Sequence, residues 1–264
     1  MIDSVAKYMD EVVKTYAAFG VKKHLFFRGH GNAKDYDLLP TVLRPKENYR
    51  EKEILLDFKQ YAPAHNIVYD FYSQRDRMLA DMQHFGMPTR LLDWTVAPLN
   101  ALFFCCSSAS DADGEVIIFN PWKYWSEIVR DKTHQEIHQI HIIARALLSG
   151  NWPFDKIKNY ISKEFDYDDL REEDIINPFA FVANYTNDRI IHQRGCFTIH
   201  GTEHKAFNHD GKFTGCMSSI SIEASSKKTI LDELNMLYIN DYSIYPDFDG
   251  MKTLISKRGS LFNL

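Results

Sequence analysis

Three short stretches of the sequence carry residue types that could hold an anionic ligand and act on it. In the first, Arg28 follows the largely apolar residues 24–27 and precedes Gly29 and His30. An arginine at the end of a buried strand presents a planar guanidinium that can bind phosphate or carboxylate through two hydrogen bonds. The alternative is an arginine that lies along the sheet edge or pairs with an acid there.

The second stretch, QHFGMPTRLLDWT over residues 83–95, is dense in polar side chains and precedes a segment that predicts a buried helix. Alternation along a strand from Arg90 puts Arg90 and Leu92 on one face and Leu91 and Asp93 on the other. Asp93 is then expected at the strand end, where loops commonly present functional groups. Alternatively, Asp93 caps the next helix and Arg90 pairs with an acid. The candidate residues in this stretch are His84, Thr89, Arg90, Asp93, Trp94 and Thr95.

The third stretch begins with Gln193, Arg194 and Gly195 and continues into a short alternating run. The amide of Gln193 could orient a ligand hydroxyl or a water molecule. Because an amide does not titrate, Gln193 cannot act as a general base. The alternative here is an exposed turn that leads into an edge strand.

Metal ligands and reactive thiols are not indicated. His134, His138 and His141 share one stripe of a helix predicted over residues 133–149, at a spacing that can hold a metal. Apolar residues fill the neighbouring stripe, so we interpret these histidines as the polar border of a packed face and predict no metal site. The four cysteines form no CxxC pair, and Cys105 with Cys106 lies in an apolar run that predicts inert packing.

Composition favours a globular protein without the basic face that drives non-specific binding of duplex DNA. The net charge of the 264 residues is −5, which disfavours non-specific duplex DNA binding through phosphate neutralisation. No apolar run approaches the roughly 18 residues that span a bilayer, and residues 1–16 are charged and amphipathic, unlike a signal peptide. We therefore expect a cytoplasmic protein without a membrane segment. No Walker, Rossmann, GxSxG or HExxH motif occurs.

The periodicity of apolar residues predicts an α+β fold. Strands are predicted at residues 24–28, 91–95, 114–119 (a central strand), 179–183, 196–200 and 218–222, and helices at 2–19, 47–61, 64–84, 99–108, 133–149 and 226–237. Residues 151–176 are charged and are predicted to be irregular. Helices and strands mix without a βαβ rhythm, which favours a small, mostly antiparallel mixed sheet with helical insertions.

In this order, the stretches resemble the FRG-domain family. Its name-giving element matches Phe27-Arg28-Gly29, its longest motif resembles residues 83–95, and a later block resembles QRGCFTIHG at residues 193–201. The segment YPDFDG at residues 245–250 is similar to a family segment that is usually FPDLDG. The resemblance covers about residues 24–255. It implies a single FRG domain over residues 1–264, with 125–176 as a helical insertion outside the motifs.

The order of parts in this family is similar to the ADP-ribosyltransferase fold, which implies that NAD is the cofactor, used as a substrate. A strand ending in an arginine, a short hydroxyl-bearing strand before a buried helix, and a late strand with an acid would meet at one site. The catalytic residues implied are Arg28, Asp93 and Gln193. The residues implied to bind NAD are Arg28, Gly29, His30, His84, Thr89, Arg90, Trp94 and Thr95.

Gln193 departs from the pattern of that fold, because active transferases carry a glutamate near this position. A neutral amide keeps the hydrogen bond to the ribose but lacks the negative charge that supports an oxocarbenium-like transition state. Asp93 is the candidate for supplying that charge.

Three functions follow as hypotheses. The first is an ADP-ribosyltransferase-like enzyme that modifies a protein or nucleic acid and acts as a toxin in bacterial defence or in a toxin–antitoxin pair, with an antitoxin as partner. The second is a non-catalytic domain that binds a nucleotide or single-stranded nucleic acid through aromatic side chains and Arg90 or Arg194. The third is a metal-dependent hydrolase or nuclease that uses His84, Asp93 and Asp247.

Overall fold

The computed structural model describes residues 2–35, 37–45, 49–69, 74–128, 154–165, 168, 177–182, 187–201, 206–209 and 211–258. Within these residues the strands are β1 (Phe26–His30), β2 (Leu91–Thr95), β3 (Gly114–Phe119), β4 (Phe179–Phe181), β5 (Gly195–Ile199) and β6 (Met217–Ile222). The helices are α1 (Val5–Phe19), α2 (Glu51–Tyr61), α3 (Arg75–His84), α4 (Pro98–Ser107), α5 (Pro121–Ile128), α6 (Phe154–Phe165), α7 (Asp188–Gln193), α8 (Ala224–Met236), α9 (Asp241–Ile244) and α10 (Phe248–Arg258).

The strands form one open sheet in the order β4-β5-β2-β1-β3-β6, and all of its described pairings are antiparallel. The predicted α+β class with a mostly antiparallel sheet is confirmed. The middle of the sheet is formed by β2 and β1, with Phe27 opposite Thr95. Strand β3 lies between β1 and β6, so it is an inner strand as predicted, although β1 and β2 are more central.

Both faces of the inner part of the sheet are largely buried, which explains why β2, β3 and β5 are mostly apolar. Along β1, Phe26 points into one hydrophobic cluster and Phe27 into the other, as alternation requires. Helices α1, α4 and α8 cover the Phe27 face, while α3, α5 and α6 contribute to the opposite layer. Because the middle strands are packed on two sides, they hold the polar side chains that they carry in fixed positions.

Local capping sets the bounds of α1: its predicted end at Phe19 is confirmed, whereas it begins at Val5 and not at residue 2. Ser4 caps α1 by accepting a hydrogen bond from the Lys7 amide, and Gly20 ends the helix in the left-handed conformation at φ 63°. Strands β2 and β3 have the predicted bounds, and α4 begins at Pro98, which occupies the first helical turn.

Two predicted elements differ from the structure. The helix predicted over residues 64–84 is instead a 3-10 helix at Ala62–His65 followed later by α3, because Asn66 adopts a left-handed conformation that ends the first piece. The charged residues 151–176 are predicted to be irregular, yet α6 forms within them and buries Ile157. The predicted helix at 133–149, with His134, His138 and His141, lies outside the described residues.

Candidate active site

A pocket of about 330 Å³ opens where β1, β2 and the end of α7 meet. Its lining contains most of the residues singled out from the sequence: Arg28, Gly29, His30, Asp93, Trp94, Thr95 and Gln193. The remaining lining residues are Phe27, Gly31, Phe104, Ser107, Ser108, Arg189 and Tyr245. Stretches that are far apart in the chain meet because β5, β2 and β1 are consecutive neighbours in the sheet.

The guanidinium of Arg28 is held in one plane by two contacts. Its Nη1 donates a hydrogen bond of 2.6 Å to the main-chain oxygen of Asp93, and its Nε donates one of 2.9 Å to Nε2 of His30. Burial, together with the positive charges of Arg28 and Arg44, lowers the pKa of His30 to about 3. His30 is therefore neutral near pH 7, which leaves Nε2 able to accept the hydrogen bond.

Asp93 lies in the middle of β2 and not at its end, contrary to the sequence expectation. It is the exposed residue of an otherwise buried strand, and its Oδ2 accepts a hydrogen bond of 2.9 Å from Nε2 of Gln83. The hydroxyl of Thr89 in turn donates to Oε1 of Gln83, which fixes the orientation of that amide. Asp93 does not cap α4, because the N-cap residue of that helix is Ala97.

Thr95 joins β2 to the third stretch. Its hydroxyl donates a hydrogen bond of 2.6 Å to the main-chain oxygen of Gln193 and accepts one of 3.0 Å from the amide of Ala97. Gln193 is the last residue of α7, and its Nε2 donates to the main-chain oxygen of Ile244 at 3.3 Å. The strand that follows, β5, is an inner strand, so the edge-strand alternative is wrong.

Gly29 and Trp94 line the pocket for reasons of packing. A Cβ at Gly29 would lie 2.0 Å from the main-chain oxygen of Ala101, so only glycine lets α4 pack this closely on β1. The Trp94 side chain is buried beside Phe119, and its indole N–H donates to the hydroxyl of Thr198 at 3.0 Å.

The structure places three of the predicted binding residues, His84, Thr89 and Arg90, outside the pocket lining. Arg90 forms a bidentate ion pair with Glu51, as the structural alternative from the sequence proposed. Thr89 reaches the pocket only through Gln83. The main-chain oxygen of His84 accepts a hydrogen bond from Arg189, and burial followed by the charge of Arg189 lowers the pKa of its imidazole.

Comparison with known protein families identifies the segment that builds most of this site. Residues 23–114, from the approach to β1 to the start of β3, match the FRG domain family. The chain contains an FRG domain. No curated protein and no solved structure matches the chain.

Two pocket residues outside the matched FRG segment were not singled out from the sequence. Tyr245 belongs to the YPDFDG segment, which resembles a family segment but from which the sequence predicted no role for Tyr245. A Cβ at Gly250 would lie 1.9 Å from the main-chain oxygen of Tyr245, and Asp247 Oδ1 accepts from the Gly250 amide at 2.8 Å. This tight turn at the start of α10 sets the position of Tyr245. Arg189 lies in no recognisable motif.

The metal hypothesis gains no geometric support within the part of the chain that the structure describes, since no group of three histidine, cysteine or acidic side chains there could hold an ion. Asp247 caps α10 and Asp93 lines the FRG pocket, so each has a separate role. Among the described helices, none has the length and apolar character that crossing a membrane requires.

Proposed function

We propose that this FRG domain binds NAD in the pocket and transfers its ADP-ribosyl group to a macromolecular acceptor. The observation that carries the proposal is the adjacency of β5, β2 and β1, which brings Arg28, Asp93 with Thr95, and Gln193 to one pocket. This is the meeting of parts that the similarity to the ADP-ribosyltransferase fold requires. Fold similarity alone does not establish a reaction, so the proposed chemistry must follow from the side chains that line the pocket.

The charges of the pocket suit a phosphate-bearing ligand. Among its described lining residues, Arg28 and Arg189 are cationic, Asp93 is anionic, and His30 is neutral. The two hydrogen bonds that hold the Arg28 guanidinium allow it to meet a phosphate without reorganising. Arg28 therefore contacts the diphosphate of NAD.

The pocket volume indicates how much of NAD is enclosed. A volume of about 330 Å³ lies near the lower limit of small-molecule sites, which span roughly 300–1,000 Å³. A dinucleotide is larger than such a space, so one half of NAD is enclosed and the other extends towards solvent. Asp93 is exposed, which leaves the reacting ribose accessible to a bulky acceptor.

The reaction breaks the bond between C1′ of the ribose and the nicotinamide nitrogen, and the bonding electrons leave with nicotinamide. The ribose then carries oxocarbenium character until an acceptor nucleophile bonds to C1′ and loses its proton. In our proposal the carboxylate of Asp93 stabilises this positive charge, and Gln193 accepts a hydrogen bond from a ribose hydroxyl. Within the described residues the Asp93 carboxylate accepts a hydrogen bond from the neutral amide of Gln83 and forms no ion pair, so its charge is not committed to a salt bridge there.

The direct test is incubation of the protein with NAD and candidate protein or RNA acceptors, with measurement of released nicotinamide and calorimetric measurement of NAD affinity. R28Q is expected to lower NAD affinity at least tenfold, since it removes a charge-assisted phosphate contact. R50Q is the matched control, because Arg50 is exposed and pairs only with Glu53 among the described residues. Absence of both NAD affinity and nicotinamide release would end the proposal.

Two further outcomes separate the alternatives. NAD affinity without nicotinamide release under any acceptor condition would favour a non-catalytic nucleotide-binding domain. For the toxin role, expression in a bacterial host is expected to arrest growth, and D93N is expected to relieve the arrest. Equal growth arrest by wild type and D93N would show that the toxicity does not depend on this site.

A further inference from the structure

Arg189 is a second arginine in the pocket wall, contributed by α7 and not by the FRG segment. Its guanidinium carbon lies 4.6 Å from the centroid of the Tyr245 ring, and its Nη1 donates a hydrogen bond of 3.1 Å to the main-chain oxygen of His84. A guanidinium stacked on an aromatic face and bonded to a carbonyl keeps a defined plane. Arg189 is therefore oriented before any ligand arrives.

The helix that carries Arg189 is anchored at both ends. At its start, Asn187 accepts a hydrogen bond of 2.9 Å from the Ile190 amide and donates one of 3.3 Å to Asp81. At its end, the main-chain oxygen of His192 accepts a hydrogen bond of 3.1 Å from the side chain of Asn100. An anchored helix lowers the entropy cost of presenting its side chain to a ligand.

Arg189 differs from other arginines of the chain in its charge environment. Arg90 pairs with Glu51, Arg50 with Glu53, and Arg77 with Asp81. Arg189 has no carboxylate within ion-pair distance among the residues that the structure describes. Its positive charge is thus available to a ligand, as a structural ion pair would not allow.

The pocket consequently presents two guanidinium groups from different walls, one on β1 and one on α7, against the single carboxylate of Asp93 among its described lining residues. Such a field attracts ligands with more than one negative charge. A monophosphate can engage one guanidinium well, and a nucleoside engages neither. A ligand with two linked phosphates offers one anionic group to each guanidinium.

We infer that Arg28 and Arg189 together select a nucleotide that bears two linked phosphates. The inference rests on the proposed function, since NAD carries a diphosphate, and it adds a second phosphate contact and a selectivity. Arg28 contacts one phosphate and Arg189 contacts the other. The ligand class is therefore a nucleoside diphosphate or a dinucleotide, and nucleoside monophosphates bind more weakly.

The test is calorimetric titration of ADP, AMP and adenosine into wild type, R189Q and R50Q. Arg50 is the matched control because it is exposed, lies outside the pocket lining, and pairs with Glu53. Wild type is expected to bind ADP about tenfold or more tightly than AMP. R189Q is expected to lose most of that preference with the affinity for adenosine unchanged, and R50Q to stay within about twofold of wild type for all three ligands.

The inference is overturned if wild type shows no preference for ADP over AMP. It is also overturned if R189Q changes the affinity for all three ligands equally, or for none of them. Circular dichroism and thermal unfolding check that R189Q is folded. If it is not, R189K serves in its place: it keeps the charge but lacks the planar fork, so at least a threefold loss of ADP preference is expected, and a full wild-type preference contradicts the inference. Nicotinamide release, measured in parallel, tests the proposed reaction separately. If nicotinamide is released but ADP binding does not depend on Arg189, only the inference is contradicted. If ADP binding depends on Arg189 but no nicotinamide is released, only the proposed reaction is contradicted.

Discussion

The side-chain amide of Gln83 donates a hydrogen bond of 2.9 Å to Oδ2 of Asp93, and the hydroxyl of Thr89 donates to the oxygen of the same amide. The main-chain amide of Leu91 donates to the Thr89 hydroxyl at 3.1 Å, which directs the hydroxyl proton towards Gln83. In this series of hydrogen bonds, each group is fixed as a donor or an acceptor by its neighbour. Asp93 receives a donor and not a second acceptor, which keeps its carboxylate oriented.

Removal of the Thr89 hydroxyl is expected to slow the proposed reaction without weakening NAD binding. T89V keeps the shape of the side chain but lets the Gln83 amide rotate, so the carboxylate of Asp93 loses its fixed orientation. We expect kcat for nicotinamide release to fall about tenfold, with NAD affinity within about twofold. T89S keeps the hydroxyl and should retain wild-type turnover. Equal losses of kcat and affinity in T89V would contradict a positioning role.

Replacing Gln193 with glutamate is expected to lower the activity and not to raise it. The amide of Gln193 donates to the main-chain oxygen of Ile244, and a carboxylate in its place would face that oxygen with a second acceptor. We expect Q193E to release nicotinamide more slowly than wild type at saturating NAD. A faster Q193E enzyme would show that this position only lacks the charge of the glutamate found in active transferases.

Gly29 is expected to tolerate no larger side chain. In G29A the new Cβ would overlap the main-chain oxygen of Ala101 and approach the amide of Cys105 to 2.6 Å, and backbone atoms of a buried helix cannot move aside cheaply. The free energy of unfolding in urea should fall by about 3 kcal/mol or more. At Gly211 an added Cβ meets nothing within 4 Å, so G211A should change stability by less than about 0.5 kcal/mol.

Lys227 supports the far wall of the pocket. Its buried ammonium donates to the main-chain oxygens of Gly31, Ser108 and Ala109 at 2.6, 3.1 and 2.8 Å. K227M leaves these carbonyl groups without their donor, so we expect a loss of about 3 kcal/mol in unfolding free energy. The neighbouring Lys228 is exposed, and K228M provides the control in the same denaturation experiment. Similar stabilities for both variants would show that the buried amine is dispensable.

Lowering the pH is expected to destabilise the folded protein, because two of its buried histidines are neutral. Burial, together with the charges of Arg90 and Arg28, lowers the pKa of His200 to about 3, and His30 behaves similarly. Between about pH 6.5 and 3 the unfolded chain binds more protons at these positions than the folded chain. The free energy of unfolding should therefore fall as pH falls, by about 1.4 kcal/mol per pH unit for each histidine.

Denaturation curves at several pH values, compared between wild type and H200Q, test this expectation. A glutamine side chain can still form a hydrogen bond with Thr198 in either direction but takes up no proton in this range. In H200Q, the free energy of unfolding should depend less steeply on pH, by the contribution of one histidine. An unchanged slope would mean that His200 does not titrate between the folded and unfolded states.

Local sequence determined much of the secondary structure and part of the pocket lining. Strands β2 and β3 have their predicted bounds, because buried runs flanked by proline or glycine permit few alternatives. Gly20, Pro98 and Gly29 act through their own backbone geometry, which is encoded where they stand. Arg28, Asp93 and Gln193 were predicted to share a hollow, and all three line the pocket. The proposed activity itself remains a prediction.

Only the tertiary structure decided which polar residues line the pocket. Arg90 and Arg28 look alike in sequence, yet Arg90 is paired with Glu51, 39 residues earlier in the chain, while Arg28 lines the pocket. Thr89 supports Asp93 through Gln83, and Arg189 and Tyr245 reach the site only through the anchoring of α7 and the turn at Gly250. Residue type and periodicity encode what each segment buries. The partner of a charged side chain depends on strand order and helix packing, which join residues that no local pattern connects.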